Sequence, residues 1–152
     1  MSLEARLRKA MELGQLTLHY QPLIDARNGA VIGSEALARW FDPEHGMIAP
    51  MRFIPVAEDS GLIAPLGAWV LHTACRQMKE WLDAGRPLRS IAVNLSPRQF
   101  FLQDVPELVR QTLADTGLDA HFLELEITEG ILIERGDEAV AILNRLRELG
   151  VR

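Results

Sequence analysis

The chain has 152 residues, a formal net charge of −5 and 24% charged residues, which is the make-up of one soluble globular domain able to bury a core of its own. The acidic balance argues against general nucleic-acid binding through a basic face, although it leaves room for a local basic pocket holding one phosphate ligand. No apolar run approaches the roughly 18 residues of a membrane span, the N-terminus lacks the charged-then-apolar order of a secretory signal, and the single Cys75 reads as a small buried hydrophobe, so the cytoplasm is the expected compartment.

Residues 3–13 carry Leu3, Leu7, Ala10 and Met11 at helical spacing, with Gly14 as the stop. A strand is expected over 16–20 and a second from Val31 to about Trp40. Between them Asn28-Gly29 marks a tight turn, so the two should pair antiparallel. Residues 41–50 read as a loop, and 52–59 as a short helix limited by Pro55. The longest helical stretch is 66–84, with Trp69, Val70, Ala74, Met78 and Trp81 as its apolar stripe and Gly85 at its end.

A strand over 90–95 follows. Ser96-Pro97-Arg98-Gln99 then opens a short helix, with Ser96 as N-cap, proline at the first position and glutamine at the third. Asp104-Val105-Pro106-Glu107 repeats the device for a helix that ends before Gly117. A strand over 122–128 and a helix over 137–149, with Ala141, Ile142, Leu146 and Leu149 inward, complete the order, and Val151-Arg152 begins what should be a further strand. From residue 66 the alternation of helix and strand implies parallel strands with crossover helices. Such a series closes into a barrel of about eight strands, of which about four are expected here.

Three strand-like runs carry oxygen ligands among apolar neighbours. Ser34-Glu35-Ala36-Leu37-Ala38-Arg39-Trp40 and Leu123-Glu124-Leu125-Glu126-Ile127-Thr128-Glu129 hold carboxylates, and Ile91-Ala92-Val93-Asn94-Leu95-Ser96 ends in an amide. An unpaired carboxylate is costly to bury, so these groups are expected to face a cation or a metal. In an α/β barrel, functional groups come from the C-terminal strand ends. Oxygen-only ligands from Glu35, Asn94 and Glu126 suit Mg2+ or Mn2+ rather than Zn2+, and the four histidines show no metal-ligand spacing. The plainer reading of each acid is an ion pair with lysine or arginine. For Arg39 it is a surface ion pair, and for Gln21 a polar strand end.

His19-Tyr20-Gln21-Pro22-Leu23, Glu35-Ala36-Leu37-Ala38-Arg39-Trp40, Phe53-Ile54-Pro55-Val56-Ala57-Glu58, Asn94-Leu95-Ser96 and Leu123-Glu124-Leu125-Glu126-Ile127-Thr128-Glu129 together, in this order, resemble the EAL domain. That family hydrolyses cyclic di-GMP, a bacterial second messenger, to the linear dinucleotide. The resemblance implies a modified TIM barrel, present here as its N-terminal half, with 1–14 as a leading helix and 15–152 as barrel. It makes Glu35, Asn94 and Glu126 metal ligands, with Glu35 catalytic. Arg39 becomes a phosphate-binding group, Gln21 a substrate contact, and Thr128 and Glu129 supports for the loop after the next strand. Phe53, Pro55 and Glu58 are expected to shape a loop and a helix start.

In the family, paired aspartates in an Asp-Asp-Phe-Gly-Thr-Gly loop, a lysine and another glutamate complete a two-metal site. In the family these come after the position that Arg152 holds here, and they are not among the 152 residues. The 152 residues alone are therefore expected to turn over little substrate and to self-associate through open strand edges. A preceding sensor or cyclase domain is a further expectation from the resemblance. The competing readings are a cyclic di-GMP receptor without turnover and a half-barrel that serves association.

Overall fold

The first two strands follow from their turn. In the computed structural model, which describes residues 2–128 and 130–152, β1 (Leu16–Ile24) and β2 (Val31–Asp42) pair antiparallel. The Asp25 carboxylate accepts from the Arg27 backbone N–H at 2.9 Å and Gly29 takes φ 72°, which only a residue without Cβ adopts at little cost. β1 runs four residues beyond its expected end, through Pro22. Proline is tolerated there because β1 is an edge strand and lacks a partner on one side.

β2 also runs further than expected and pairs with β3 (Gly46–Ile48) inside the segment read as a loop. Asp42 closes that hairpin, accepting from the backbone N–H groups of Glu44 at 2.7 Å and His45 at 3.1 Å. A three-residue strand has no periodicity to read, so only this turn chemistry could have signalled it.

α1 (Leu3–Leu13) begins at Ser2, whose hydroxyl accepts from the Ala5 N–H. α2 (Pro50–Ser60) and α3 (Ile63–Asp83) lead to β4 (Ser90–Asn94). α4 (Pro97–Leu102) and α5 (Val105–Thr116) follow, then a 3-10 turn at Ala120–Phe122, β5 (Leu123–Glu126) and α6 (Gly130–Glu148). The sheet order is β1-β2-β4-β5, with β3 on β2; β4 and β5 are parallel, as the alternation predicts, and β2 is parallel to β4 as well. Val151–Arg152 lies along β5, where Leu125 N–H donates to the Arg152 carbonyl at 2.9 Å and Arg152 N–H to Leu123 at 3.2 Å.

Two apolar clusters flank β2. The larger packs Ile91, Val93 and Leu123 against Leu71 and Met78 of α3 and Val109 of α5. The smaller joins Leu7, Trp40, Phe53 and Leu66. The inward stripe of α3 is Ile63, Leu66, Gly67, Leu71, Ala74, Cys75 and Met78; Trp69 and Trp81 sit at its margins, only partly buried. α6 starts earlier than expected and departs from helical geometry at Arg135 (φ −146°, ψ 59°), whose guanidinium lies 4.9 Å from the Phe101 ring. Beyond that break Ala139 and Leu146 are buried, whereas Ala141, expected inward, is exposed. Ala139, Ile142, Leu146 and Leu149 form the inward stripe, so the spacing read from sequence holds except at Ala141. Among the described residues no helix is long and apolar enough to cross a membrane.

Candidate active site at the strand ends

Pairing register brings the expected ligands together. Glu35 of β2 stands opposite Ala92 of β4, and Asn94, two residues on, stands opposite Glu126 of β5. Gln21 of β1 faces Glu35 across the hairpin. Because strand side chains alternate, Glu35, Asn94, Glu124 and Glu126 share one face of the sheet. Ala36, Ile91, Val93 and Leu123 point the other way, into the helix-covered core.

That alternation corrects the expectation of buried acids. Asn94 and Glu126 are exposed and Glu35 is half-buried. The apolar neighbours that made the runs look buried belong to the opposite face. Asn94 Nδ2 donates to Glu35 Oε2 at 3.0 Å, so the amide that was expected to act only as an oxygen ligand also orients a carboxylate. Glu126 holds its proton above the usual glutamate range. Partial burial is the main cause, followed by the charge of Glu35, hydrogen bonding with Glu35 and the charge of Glu124.

Beyond Ala36, β2 no longer pairs with β4 but stays paired with β1 as far as Trp40, where β3 joins its other edge. Arg39 stands on that segment, opposite Thr17 of β1. Its guanidinium donates to the Ala38 carbonyl at 3.0 Å, and no carboxylate pairs with it among the described residues. A cavity of about 550 Å³ opens between the hairpin and the strand ends; Arg39, Asn94, Glu126 and Thr128 line it, with Ile54 and Leu66 on its apolar side. Glu35 reaches this group through Asn94 and does not itself line the cavity. Gln21 is exposed and lies outside the lining. Glu129 lies outside the described residues.

Two residues have places that the sequence did not give them. Glu58, expected to shape a helix start, lines the cavity and accepts from Ser96 Oγ at 2.6 Å. Gln99 does not complete the capping arrangement expected of it. Ser96 caps Arg98 N–H, while Gln99 is 1% exposed with Nε2 unpartnered. Its amide occupies the space above Gly67, where a Cβ would come within 2.1 Å of Nε2. Tertiary packing has overridden the local signal.

Two facing carboxylates and an amide oxygen form an oxygen-only donor set, the type that fits a hard divalent cation. Among the described residues no three His, Cys, Asp or Glu side chains group around one point; the donors brought together here are two carboxylates and one amide. The Arg39 guanidinium, with no carboxylate partner among the described residues, suits an anionic oxygen.

A carboxyl that binds its proton more tightly when folded than when unfolded favours folding less as pH rises through its folded pKa. Glu126→Gln is therefore expected to raise the melting temperature in chelator-treated buffer at pH 7. The gain should be only about a degree or two, because the carboxylate is largely solvated. The difference should vanish near pH ~3.5, where the carboxyl is protonated in both states. A lower melting temperature at pH 7 would mean that Glu126 is stabilised by a partner.

The EAL domain family model matches residues 4–152. MucR of Pseudomonas aeruginosa, named a bifunctional diguanylate cyclase/cyclic di-GMP phosphodiesterase, is 48% identical over 145 residues, 95% of this chain and 21% of that protein. PdeR of Escherichia coli, named a cyclic di-GMP phosphodiesterase, is 43% identical over 150 residues, 99% of this chain and 22% of that protein. The solved structure of the PaMucR phosphodiesterase in complex with c-di-GMP superposes with a TM-score of 0.94 at 46% identity, covering 99% of this chain and 61% of that one. The chain thus spans about a fifth of the length of these curated relatives.

Proposed function

Since the chain belongs to the EAL domain family, we propose that it supplies Glu35, Asn94, Glu126 and Arg39 to a site that binds cyclic di-GMP and hydrolyses it to the linear dinucleotide in cytoplasmic second-messenger signalling. Residues 15–152 form the first part of the barrel, behind the leading helix 1–14. The observation that carries this reading is the convergence of an oxygen-only donor set from three parallel strands, with the Arg39 guanidinium lining the same cavity.

Mg2+ or Mn2+, when bound, would polarise a phosphoryl oxygen and lower the pKa of an attacking water. Glu35, Asn94 and Glu126 would hold that ion. The hydrogen bond from Asn94 fixes the Glu35 carboxylate before substrate arrives. The Arg39 guanidinium presents a planar fork to a phosphate, matched to two of its oxygens. Gln21, on the neighbouring strand, offers an amide to the nucleotide. Thr128, and Glu129 outside the described residues, would support the loop after the next strand. With only part of the ligand shell, the 152 residues bind nucleotide and turn over little.

Calorimetry with Mn2+ and cyclic di-GMP tests this on the chain as it stands. Binding is expected, weakened about tenfold or more in Arg39→Ala, in keeping with a lost charged hydrogen bond. Absence of binding would sink the reading. Binding unaffected by Arg39→Ala would remove Arg39 from it. Fast Glu35-dependent release of linear product would overturn only the claim that the ligand shell is partial.

A further inference from the structure

Asn94 sits at the end of β4, where a short loop turns into α4, and two contacts bracket that loop. On one side Leu95 N–H donates to the Glu126 carbonyl at 3.0 Å, tying the loop to β5. On the other, the Ser96 hydroxyl donates to Glu58 Oε2 at 2.6 Å, across 38 residues of chain. The same hydroxyl oxygen accepts from Arg98 N–H at 3.2 Å as the cap of α4. Ser96 therefore has its donor and an acceptor position both engaged, and the donor has a single direction.

An O–H to carboxylate bond of this length belongs to the strong, charge-assisted class, and both partners are half-buried. The neighbouring Arg98–Asp59 pair, at 3.8 Å between side chains 57% and 83% exposed, is too long and too solvated to hold the loop. Glu58 itself is well anchored. It lies on α2 next to Ala57 and one and a half turns after Phe53, both fully buried.

We propose that Glu58 is a positioning residue for Asn94: its carboxylate, held on α2, fixes Ser96 and so sets where the Asn94 amide meets Glu35. This rests on the reading of Glu35, Asn94 and Glu126 as a cation site. It assigns to Glu58 the role of a hydrogen-bond acceptor, not of a further ligand. The two roles separate chemically. An amide in place of the carboxylate still accepts from Ser96, but it is a much poorer partner for a divalent cation.

The test compares Glu58→Ala, Glu58→Gln and Asp59→Ala by Mn2+ titration, by the side-chain amide resonances of Asn94 in metal-free protein, and by melting temperature. Glu58→Ala is expected to shift the Asn94 resonances and to lower Mn2+ affinity by about tenfold, the low end of what loss of a ligand's supporting partner costs. Glu58→Gln should restore both, and Asp59→Ala should leave both unchanged. Should Glu58→Ala fail to fold, Ser96→Asp serves in its place. It keeps an N-cap acceptor but sets a second carboxylate against Glu58, and the same two losses are expected.

Unmoved Asn94 resonances with unchanged affinity in Glu58→Ala would overturn the proposal. So would Glu58→Gln failing as badly as alanine, which would make Glu58 a ligand. If wild-type protein bound no Mn2+ while the Asn94 resonances still answered to Glu58, the cation reading would fail and the positioning contact would stand.

Discussion

Replacing Glu35 by alanine is expected to lower the Mn2+ affinity of this chain by about 100-fold or more. Loss of a supporting partner already costs about 10–100-fold in such sites, and a direct ligand should cost more. Three changes act together. A donor leaves the set, Asn94 Nδ2 loses its 3.0 Å acceptor, and Glu126 loses the charge that faces it. The last has its own signature. With Glu35 gone, Glu126 should titrate closer to an ordinary glutamate, visible by carbon NMR of its carboxyl. Glu35→Gln keeps an acceptor for Asn94 and should still lose most of the affinity, since the charge is what a hard cation requires. Unchanged Mn2+ binding in Glu35→Ala would place the ion elsewhere, whatever Glu126 does.

The largest loss of stability is expected from Phe53→Ala. The ring is fully buried and meets Trp40 edge-on, with centroids 5.8 Å apart and planes at 82°. Truncating a buried phenylalanine costs about 3–5 kcal/mol, a large part of the ~5–15 kcal/mol that holds a domain folded. At about 2–4 °C per kcal/mol for a chain of this size, the melting temperature should fall by roughly 10 °C. Met51→Ala, on the same helix but 88% exposed, should move it by no more than about a degree. The effect should also reach the site, because Phe53 seats the helix that carries Glu58 and Trp40 follows Arg39 in the chain. Phe53→Ala is expected to weaken Mn2+ binding even at temperatures where the protein remains folded. A melting temperature within a degree of wild type would show that the smaller cluster adds little to stability.

The parts legible in the sequence are those written in short-range chemistry. Ser96 and Asp104 cap their helices as read, accepting from Arg98 and Glu107. Asn28-Gly29 lies in the turn of the first hairpin, and the runs around Val93 and Leu125 are parallel neighbours. What could not be read depends on distant contacts. Glu58 meets Ser96 across the fold, and no local pattern encodes that. Gln99 has the spacing of a capping residue and is drawn instead into the gap that Gly67 leaves on α3. The exposure of Glu126 is hidden from the sequence for a related reason. Alternating Leu and Glu tell which residues share a face, but not which face the helices cover.

The way β2 is shared between two kinds of pairing bears on how the site comes into being. Gln21 and Glu35 belong to one hairpin, closed by a tight turn, and such units zip on a microsecond scale. Glu35 and Asn94 are separated by 59 residues, and their parallel pairing must wait for a long connection to close, with its entropy lost before any contact rewards it. Glu35 is thus in place while Asn94 and Glu126 are still diffusing. Metal present during refolding would meet a lone glutamate on a nascent hairpin before it met a site, and it would speed the docking of β4 only if it were held by that single carboxylate.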